Sequence, residues 1–177
     1  MTTQIFPSLI EAIQSLYKQK VSIVQKQVLS GGDINQAYCL SLSNGDKLFV
    51  KMNDANRMDM FKQEAHGLKA LANTNTLSTP HVLAIGLEGN QSFLLMEYIE
   101  KGIESKQYWK DLGKGLARMH QADVQKVLDH PFGFIEDNYI GTNIQINTPM
   151  DSWIQFFIHC RLSPQIDIAK SFCSHKT

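Results

Sequence analysis

Two side chains of opposite charge, Lys51 and Glu64, are the residues of this sequence best placed for phosphate chemistry. Lys51 ends the apolar run Leu48-Phe49-Val50, and Glu64 follows 13 residues later on a helical pattern. A lysine on a strand can pair with phosphate oxygens, and a helix glutamate can hold that lysine in place. The alternative for Lys51 is a solvated lysine at a strand end. Glu64 favours the phosphate interpretation, because a paired ammonium tolerates partial burial.

A glycine pair, Gly31 and Gly32, precedes this lysine and lies between two strand-like segments. Glycines allow a backbone to approach phosphate closely, because no side chain intrudes. We therefore predict that both glycines contribute to the same phosphate site. The match to the pattern G-x-G-x-x-G is poor, and glycine pairs are common in plain turns, so a simple turn stays open as the alternative.

The segment Met96-Glu97-Tyr98-Ile99 ends the last apolar strand of the N-terminal half. In a kinase-like arrangement this segment is the hinge between two lobes. There the backbone carbonyl of Glu97 and the amide of Ile99 would meet the edge of an adenine. We predict that Glu97, Tyr98 and Ile99 line the adenine site, with an ordinary strand end as the alternative.

The elements that must position these residues follow the order helix, three strands, helix, two strands. Ser8 and Glu11 make a capping box at the start of the first helix, and Asn44-Gly45 is a strong hairpin signal. The predicted strands cover residues 21–29, 36–43, 47–52, 81–87 and 92–99. This order predicts an α+β fold. Residues 1–100 would form a protein-kinase-like small lobe with a five-stranded antiparallel sheet and an extra helix in front.

The pattern becomes helical after Glu100. A long helix is predicted from about residue 105 to 121, an irregular loop includes residues 138–147, and another helix contains Trp153. The triplet Asp111-Leu112-Gly113 resembles a metal-binding motif but lies inside the first of these helices, so we interpret it as a helix segment. Residues 101–177 are thus predicted to form the first part of a helical large lobe.

Composition narrows the possible partners and compartments. The sequence has 17 basic and 17 acidic residues, which argues against nucleic acid as a partner. No segment approaches the roughly 20 apolar residues of a membrane span, and the N-terminus lacks the apolar core of a signal peptide. The three cysteines are widely spaced, which indicates reduced thiols and a cytoplasmic location.

The whole pattern resembles the fructosamine kinases, also called ketoamine kinases, from about Ile10 to Ala169. The resemblance is carried by the segments GGDINQAYCL, LFVKMN, MFKQEAHGLKAL, FLLMEYIE, LGKGLARMHQ, FGFIEDNYIGTNIQIN and DSWIQFFIHCRLSPQI. It implies an aminoglycoside-phosphotransferase-like fold that uses ATP and Mg²⁺. The implied acceptor is a sugar hydroxyl of a ketoamine, either a small molecule or bound to a protein lysine. Lys51 would hold phosphate, Glu64 would orient it, and Glu97, Tyr98 and Ile99 would line the adenine site.

The sequence departs from this family in one respect that concerns catalysis. The family's H-G-D-L-x-x-G-N loop and its later acidic metal-binding motif have no counterpart here, so we predict no catalytic residue and no metal ligand. The chain is expected to be truncated and inactive, and the tail SFCSHKT suggests a frameshift or an early stop as a hypothesis. The alternatives are a kinase of another small hydroxylated substrate, such as an aminoglycoside, and a non-catalytic nucleotide-binding fragment.

Overall fold

The structure, a computed structural model, describes residues 5–30, 34–122 and 130–173. The chain divides into two compact units, Met1–Ala122 and Asp123–Thr177. The division into lobes over 1–100 and 101–177 stays a prediction. None of the helices within the described residues is long and apolar enough to cross a membrane.

The first unit combines one sheet with helices on either side of it. Its strands are β1 (Ile5–Phe6), β2 (Ile23–Leu29), β3 (Gln36–Leu42), β4 (Lys47–Asp54), β5 (Val82–Glu88) and β6 (Gln91–Glu97). Its helices are α1 (Leu9–Leu16), α2 (Met58–Ala72) and α3 (Tyr108–Gln121). The triplet Asp111-Leu112-Gly113 lies inside α3, so its interpretation as a helix segment is confirmed.

The six strands lie in the order β1-β5-β6-β4-β3-β2. All neighbouring pairs are antiparallel except β1 and β5, which run parallel. The predicted kinase-like small lobe is confirmed, with one strand more than the five expected. That strand is two residues long, too short to show the alternation by which strands are recognised. It fits because Gly86 has no side chain: a Cβ there would lie 2.4 Å from the Phe6 carbonyl oxygen.

Both faces of the sheet are covered by apolar helix surfaces. On one face, Ala12 and Ile13 of α1 belong to a core cluster with Leu95 of β6, and on the other face Phe61 of α2 packs with Leu94. Because successive strand residues point to opposite faces, β6 is apolar almost throughout. Burying one such side chain contributes about 1.5–3 kcal/mol, so this double-sided burial dominates the stability of the first unit.

The second unit is smaller and mostly helical. It contains the strands β7 (Asn138–Ile140) and β8 (Asn143–Gln145), the helices α4 (Trp153–Phe157) and α5 (Ser163–Cys173), and a π-helical turn at Ile158–Leu162. The two strands pair as an antiparallel hairpin within the region predicted as an irregular loop. Strands of three residues are too short for a period of two to be recognised in the sequence.

A network around Arg161 joins the hairpin region to the helices of the second unit. The Arg161 guanidinium donates to the Ile146 carbonyl at 2.6 Å and to the Asn147 side-chain oxygen at 2.7 Å. The Asn147 backbone N–H donates to the Asp137 carboxylate at 2.7 Å. Asn147 is buried, so these bonds satisfy polar groups that water does not reach.

Candidate functional site

A cavity of about 370 Å³ in the first unit collects the charged and apolar residues that could bind a nucleotide. Its walls come from the sheet, from α2 and from the segment that follows β6. The lining residues are Leu29, Phe49, Lys51, Glu64, Leu68, Pro80, Met96, Glu97, Tyr98 and Ile99. A volume of this order falls in the range of small-molecule sites.

Lys51 and Glu64 form an ion pair at this cavity. The Lys51 Nζ lies 2.5 Å from Glu64 Oε1. The two side chains are 28% and 27% exposed, so the pair is partly shielded from water but accessible to a ligand. A cation held by one carboxylate still has donors left for a second anion, because an ammonium carries three.

The sheet and α2 fix the two partners by independent means. Lys51 lies in β4, where it is paired with Ala37 of β3 on one side and Leu94 of β6 on the other. Glu64 is carried by α2, which is anchored on the same face of the sheet through the buried residues Phe61 and Ala65. The ion pair therefore joins two elements that packing has already brought together, so no further backbone ordering is needed to form it.

The walls of the cavity beside this ion pair are largely apolar. Phe49 lies two residues before Lys51 on the same face of β4 and is paired with Met96 across the sheet. Leu29 at the end of β2 and Leu68 on α2 complete the apolar lining. An apolar lining next to a cation suits a molecule with an aromatic ring and an anionic group.

The segment after β6 leaves the sheet at the edge of the cavity. The β4–β6 ladder ends with the pair Leu48 and Glu97, so Tyr98 and Ile99 lie beyond its last pair. Backbone N–H and C=O groups in such a segment can meet the polar edge of a ligand, as the sequence analysis predicted for the hinge.

An exposed ion pair joins this segment to the start of β4. Lys47 Nζ lies 2.6 Å from Glu100 Oε1 and 5.7 Å from the centre of the Tyr98 ring. The hydrogen bond from Lys47 lowers the pKa of Glu100, and the hydrogen bond to Glu100 raises the pKa of Lys47. Each shift favours the charged form, so the pair persists across neutral pH.

The Glu97 side chain is engaged on the other side of the hinge. The backbone N–H of His81 donates to Glu97 Oε1 at 3.0 Å, and His81 Nδ1 lies 3.4 Å from Glu97 Oε2. The Glu97 N–H also donates to the His81 carbonyl oxygen at 3.0 Å. The carboxylate thus fastens the end of β6 to the residue before β5.

Five of the seven predicted site residues surround this one cavity: Lys51, Glu64, Glu97, Tyr98 and Ile99. Gly31 and Gly32 lie outside the described residues. The cation, the apolar lining and the hinge segment fit a nucleotide such as ATP. Within residues 5–30, 34–122 and 130–173, no group of three His, Cys, Asp or Glu side chains is placed to hold a metal ion.

The apolar lining of the cavity was not predicted from the sequence. The missed residues are Leu29, Phe49, Leu68, Pro80 and Met96. Two of them carried a usable signal: Phe49 shares a strand face with Lys51 because it lies two residues away, and Met96 directly precedes the predicted hinge. Leu29 and Leu68 are brought to the cavity by tertiary packing alone.

The fold is the small lobe of a protein-kinase-like structure, extended by part of a helical region. The solved structures confirm it. A crystal structure assigned to a fructosamine-3-kinase of Haemophilus somnus 129PT superposes with a TM-score of 0.81 at 28% identity. The superposition covers 93% of this chain and 54% of the Haemophilus somnus chain.

The sequence comparisons define the family. The fructosamine kinase family model matches residues 5–176, and the chain belongs to the fructosamine kinase family. A Synechocystis protein assigned as a ketoamine kinase is 38% identical over 152 residues, which are 86% of this chain and 50% of the relative. A chloroplastic protein-ribulosamine 3-kinase of Oryza sativa subsp. indica is 40% identical over 141 residues, 79% of this chain and 40% of the relative. The chain spans about half the length of the curated relatives it matches.

Proposed function

We propose that this chain provides the ATP-binding half of a ketoamine kinase. The observation that carries the proposal is the Lys51–Glu64 ion pair in the wall of a largely apolar cavity bordered by the hinge. Lys51 would bind phosphate oxygens, and Glu64 would hold the ammonium in place. Phe49 and Met96, which lie side by side on one face of the sheet, would pack against one face of the adenine. The hinge backbone at Glu97 and Ile99 would bind the polar edge of the base.

ATP supplies the transferable phosphoryl group when it is bound, and the residues of this chain orient it. In kinases most of the rate acceleration comes from positioning and from neutralising charge, which is the task we assign to Lys51. The proposed acceptor is a hydroxyl of a ketoamine, small or protein-bound, because the relatives are assigned as ketoamine and protein-ribulosamine kinases. Mg²⁺ is proposed as the accompanying ion on the family resemblance alone.

Calorimetric titration of the chain with ATP tests the binding proposal. Lys51→Met should weaken ATP binding about tenfold or more, because a hydrogen bond to a charged group is worth about 1.5–3 kcal/mol. Lys69→Met is the matched control, since Lys69 is an exposed lysine on the same helix as Glu64. Unchanged affinity in Lys51→Met would remove Lys51 from the phosphate site. No binding of ATP by the wild-type chain would exclude the nucleotide proposal.

Phosphoryl transfer is tested separately. The chain has no aspartate followed five residues later by asparagine, the spacing of the kinase catalytic loop. We therefore expect a polypeptide of these 177 residues to bind ATP without phosphorylating a ketoamine made from ribose and lysine, as followed by ³¹P NMR with Mg²⁺ present. A phosphorylated product above the protein-free background would show that the transfer needs no such loop.

We also propose that the protein works in the cytoplasm. Cys39 and Cys160 are free thiols buried in the structure, which suits a reducing compartment. Fractionation of cells that carry the tagged protein would test the location, and recovery with membranes or outside the cell would contradict it.

A further inference from the structure

Asn53 lies on the same face of β4 as Lys51, two residues further along, and every polar atom of its side chain is engaged. Its Nδ2 donates to the Ile34 carbonyl oxygen at 3.1 Å and to Asn35 Oδ1 at 2.7 Å. Its Oδ1 accepts the Asp54 N–H at 2.8 Å. A side-chain amide with two donors used at once fixes both the position and the orientation of what it binds.

These bonds continue the sheet where its backbone pairing stops. The last pair of the β3–β4 ladder is Gln36 with Met52, so Asn35 and Asn53 face each other one residue beyond it. Ile34 and Asn35 are the residues through which the chain enters β3 after the glycine pair. The Asn53 amide thus ties the chain that leads out of the glycine pair to the strand that carries Lys51.

The strand end that carries Asn53 is itself held firmly. The Ser92 hydroxyl donates to the Asp54 carbonyl oxygen at 2.9 Å and lies 3.4 Å from the Asn53 carbonyl oxygen. Ser92 is fully buried, and it is also paired with Asn53 in the β4–β6 ladder. Asn53 therefore transmits the position of the central strands to residues 34–35.

We propose that Asn53 is a positioning residue for the phosphate end of the nucleotide site. It fixes residues 34–35, at the start of β3, relative to the Lys51 ammonium. These two parts of the site are therefore already in place when the phosphates of the ligand bind. The inference rests on the proposed binding of ATP. Phe49, Met96 and the hinge line the adenine end of the cavity. The Asn53 side chain forms its hydrogen bonds with Ile34, Asn35 and Asp54 instead.

Comparison of ATP with adenosine separates this role from a general structural one. Asn53→Ala removes both donors to residues 34–35, and we expect ATP affinity to fall about tenfold for the loss of two neutral hydrogen bonds. Adenosine affinity should stay unchanged, because adenosine has no phosphate. Asn73→Ala, at an exposed asparagine after α2, is the matched control and should change neither affinity.

A second variant approaches the same contact from the other side. Asn35→Ala removes the acceptor of the shortest bond and leaves β4 untouched, so it carries the test if Asn53→Ala fails to fold. We expect it to lower ATP affinity by less than Asn53→Ala does. The double variant should bind ATP no more weakly than Asn53→Ala alone, since residues in direct contact are not additive.

The outcomes distinguish this inference from the proposed function. Loss of the preference for ATP in the Asn53 and Asn35 variants, with adenosine binding retained, supports the positioning role. If the wild-type chain binds ATP and both variants bind it equally well, the inference is overturned while the nucleotide site stands. A parallel fall in ATP and adenosine affinity assigns Asn53 a purely structural role and also overturns it. A wild-type chain that binds no ATP overturns both.

Discussion

Different forces stabilise the interior of each of the two units. In the first unit, apolar side chains are buried on both faces of the sheet, and the largest of the fully buried ones are Phe61 and Phe93. In the second unit the buried residues of the described part are Asn147, Phe156 and Cys160, while Trp153 is 53% exposed. The first unit therefore depends on buried apolar area, and the second depends much more on directed hydrogen bonds.

This difference predicts how each unit responds to substitution. Buried apolar area is lost in proportion to the atoms removed, and the cavity left behind adds a further cost. A hydrogen-bond network loses stability mainly through the buried groups that are left without a partner. The same free energy of unfolding can thus be lost by removing a large side chain in the first unit or a few donor atoms in the second.

The largest effect should follow removal of apolar volume from the core of the first unit. Leu95→Ala truncates a fully buried side chain in the cluster that includes α1 and should lower the free energy of unfolding by about 2–5 kcal/mol. This loss is measured by urea unfolding that is monitored through hydrogen exchange of the first-unit amides. Leu71→Ala, the same change at a leucine that is 41% exposed, should cost much less. If the two variants lost the same free energy of unfolding, the first unit would not depend on buried apolar area.

A smaller effect is expected from removing the donors of the second unit. Arg161→Met keeps the length of the side chain but deprives the Ile146 carbonyl and the Asn147 side chain of their partner. Hydrogen bonds to charged groups contribute about 1.5–3 kcal/mol. The opening of the second unit should become easier by this free energy, and the backbone amides of residues 132–150 should therefore exchange faster. Arg57→Met provides an exposed control in the first unit. Unchanged exchange in Arg161→Met would show that aromatic packing alone holds the second unit.

The smallest effect is expected from an exposed polar pair of the first unit. Lys47 lowers the pKa of Glu100 from its usual 4.5, so Glu100 contributes stability above about that pH and loses it as the pH falls through the lowered value. Glu100 raises the pKa of Lys47 from 10.5, so the contribution of Lys47 is present below that pH and is lost in strong alkali.

Melting temperatures measured across this range test the sign of that contribution. The wild type should melt slightly above Glu100→Gln between about pH 5 and 10, and the difference should vanish in strong acid and shrink with added salt, which screens exposed charges. Glu104→Gln is an exposed control nearby. A difference as large as that of Leu95→Ala would contradict the view that polar contacts are minor in the first unit.

Much of the first unit was predictable because its elements are long enough to show their periodicity. The helices around Ile13 and Ala65 and the strands from β2 to β6 all lie close to where the sequence analysis placed them. The parallel strand β1 and the hairpin of β7 and β8 were not predicted, because two or three residues carry no recognisable period. Their formation is decided by partners far along the chain or by a tight turn such as that at Gly141, which has a positive φ.

The candidate site was predictable only in its charged and hinge residues. Lys51 and Glu64 stand out by charge and spacing, and they lie 2.5 Å apart in the structure. The apolar lining could not be separated from ordinary core residues, because Phe49 and Leu68 look the same in sequence whether they face a ligand or the interior. Asn53 ends the family segment LFVKMN, but no role was predicted for it, because its contacts with residues 34–35 depend on the register of β3 and β4.

The docking of β1 has a consequence for how quickly the chain folds. The Leu9 amide beside β1 donates to Glu88 at 2.6 Å, 79 residues further along the chain, and Phe6 is paired with Gly86. Such contacts close a long loop whose entropy must be lost before any of their energy is gained. The hairpins of the sheet join neighbouring segments and can form early, whereas β1 must wait until β5 is in place. The beginning of the chain is therefore expected to join the sheet among its last strands during folding.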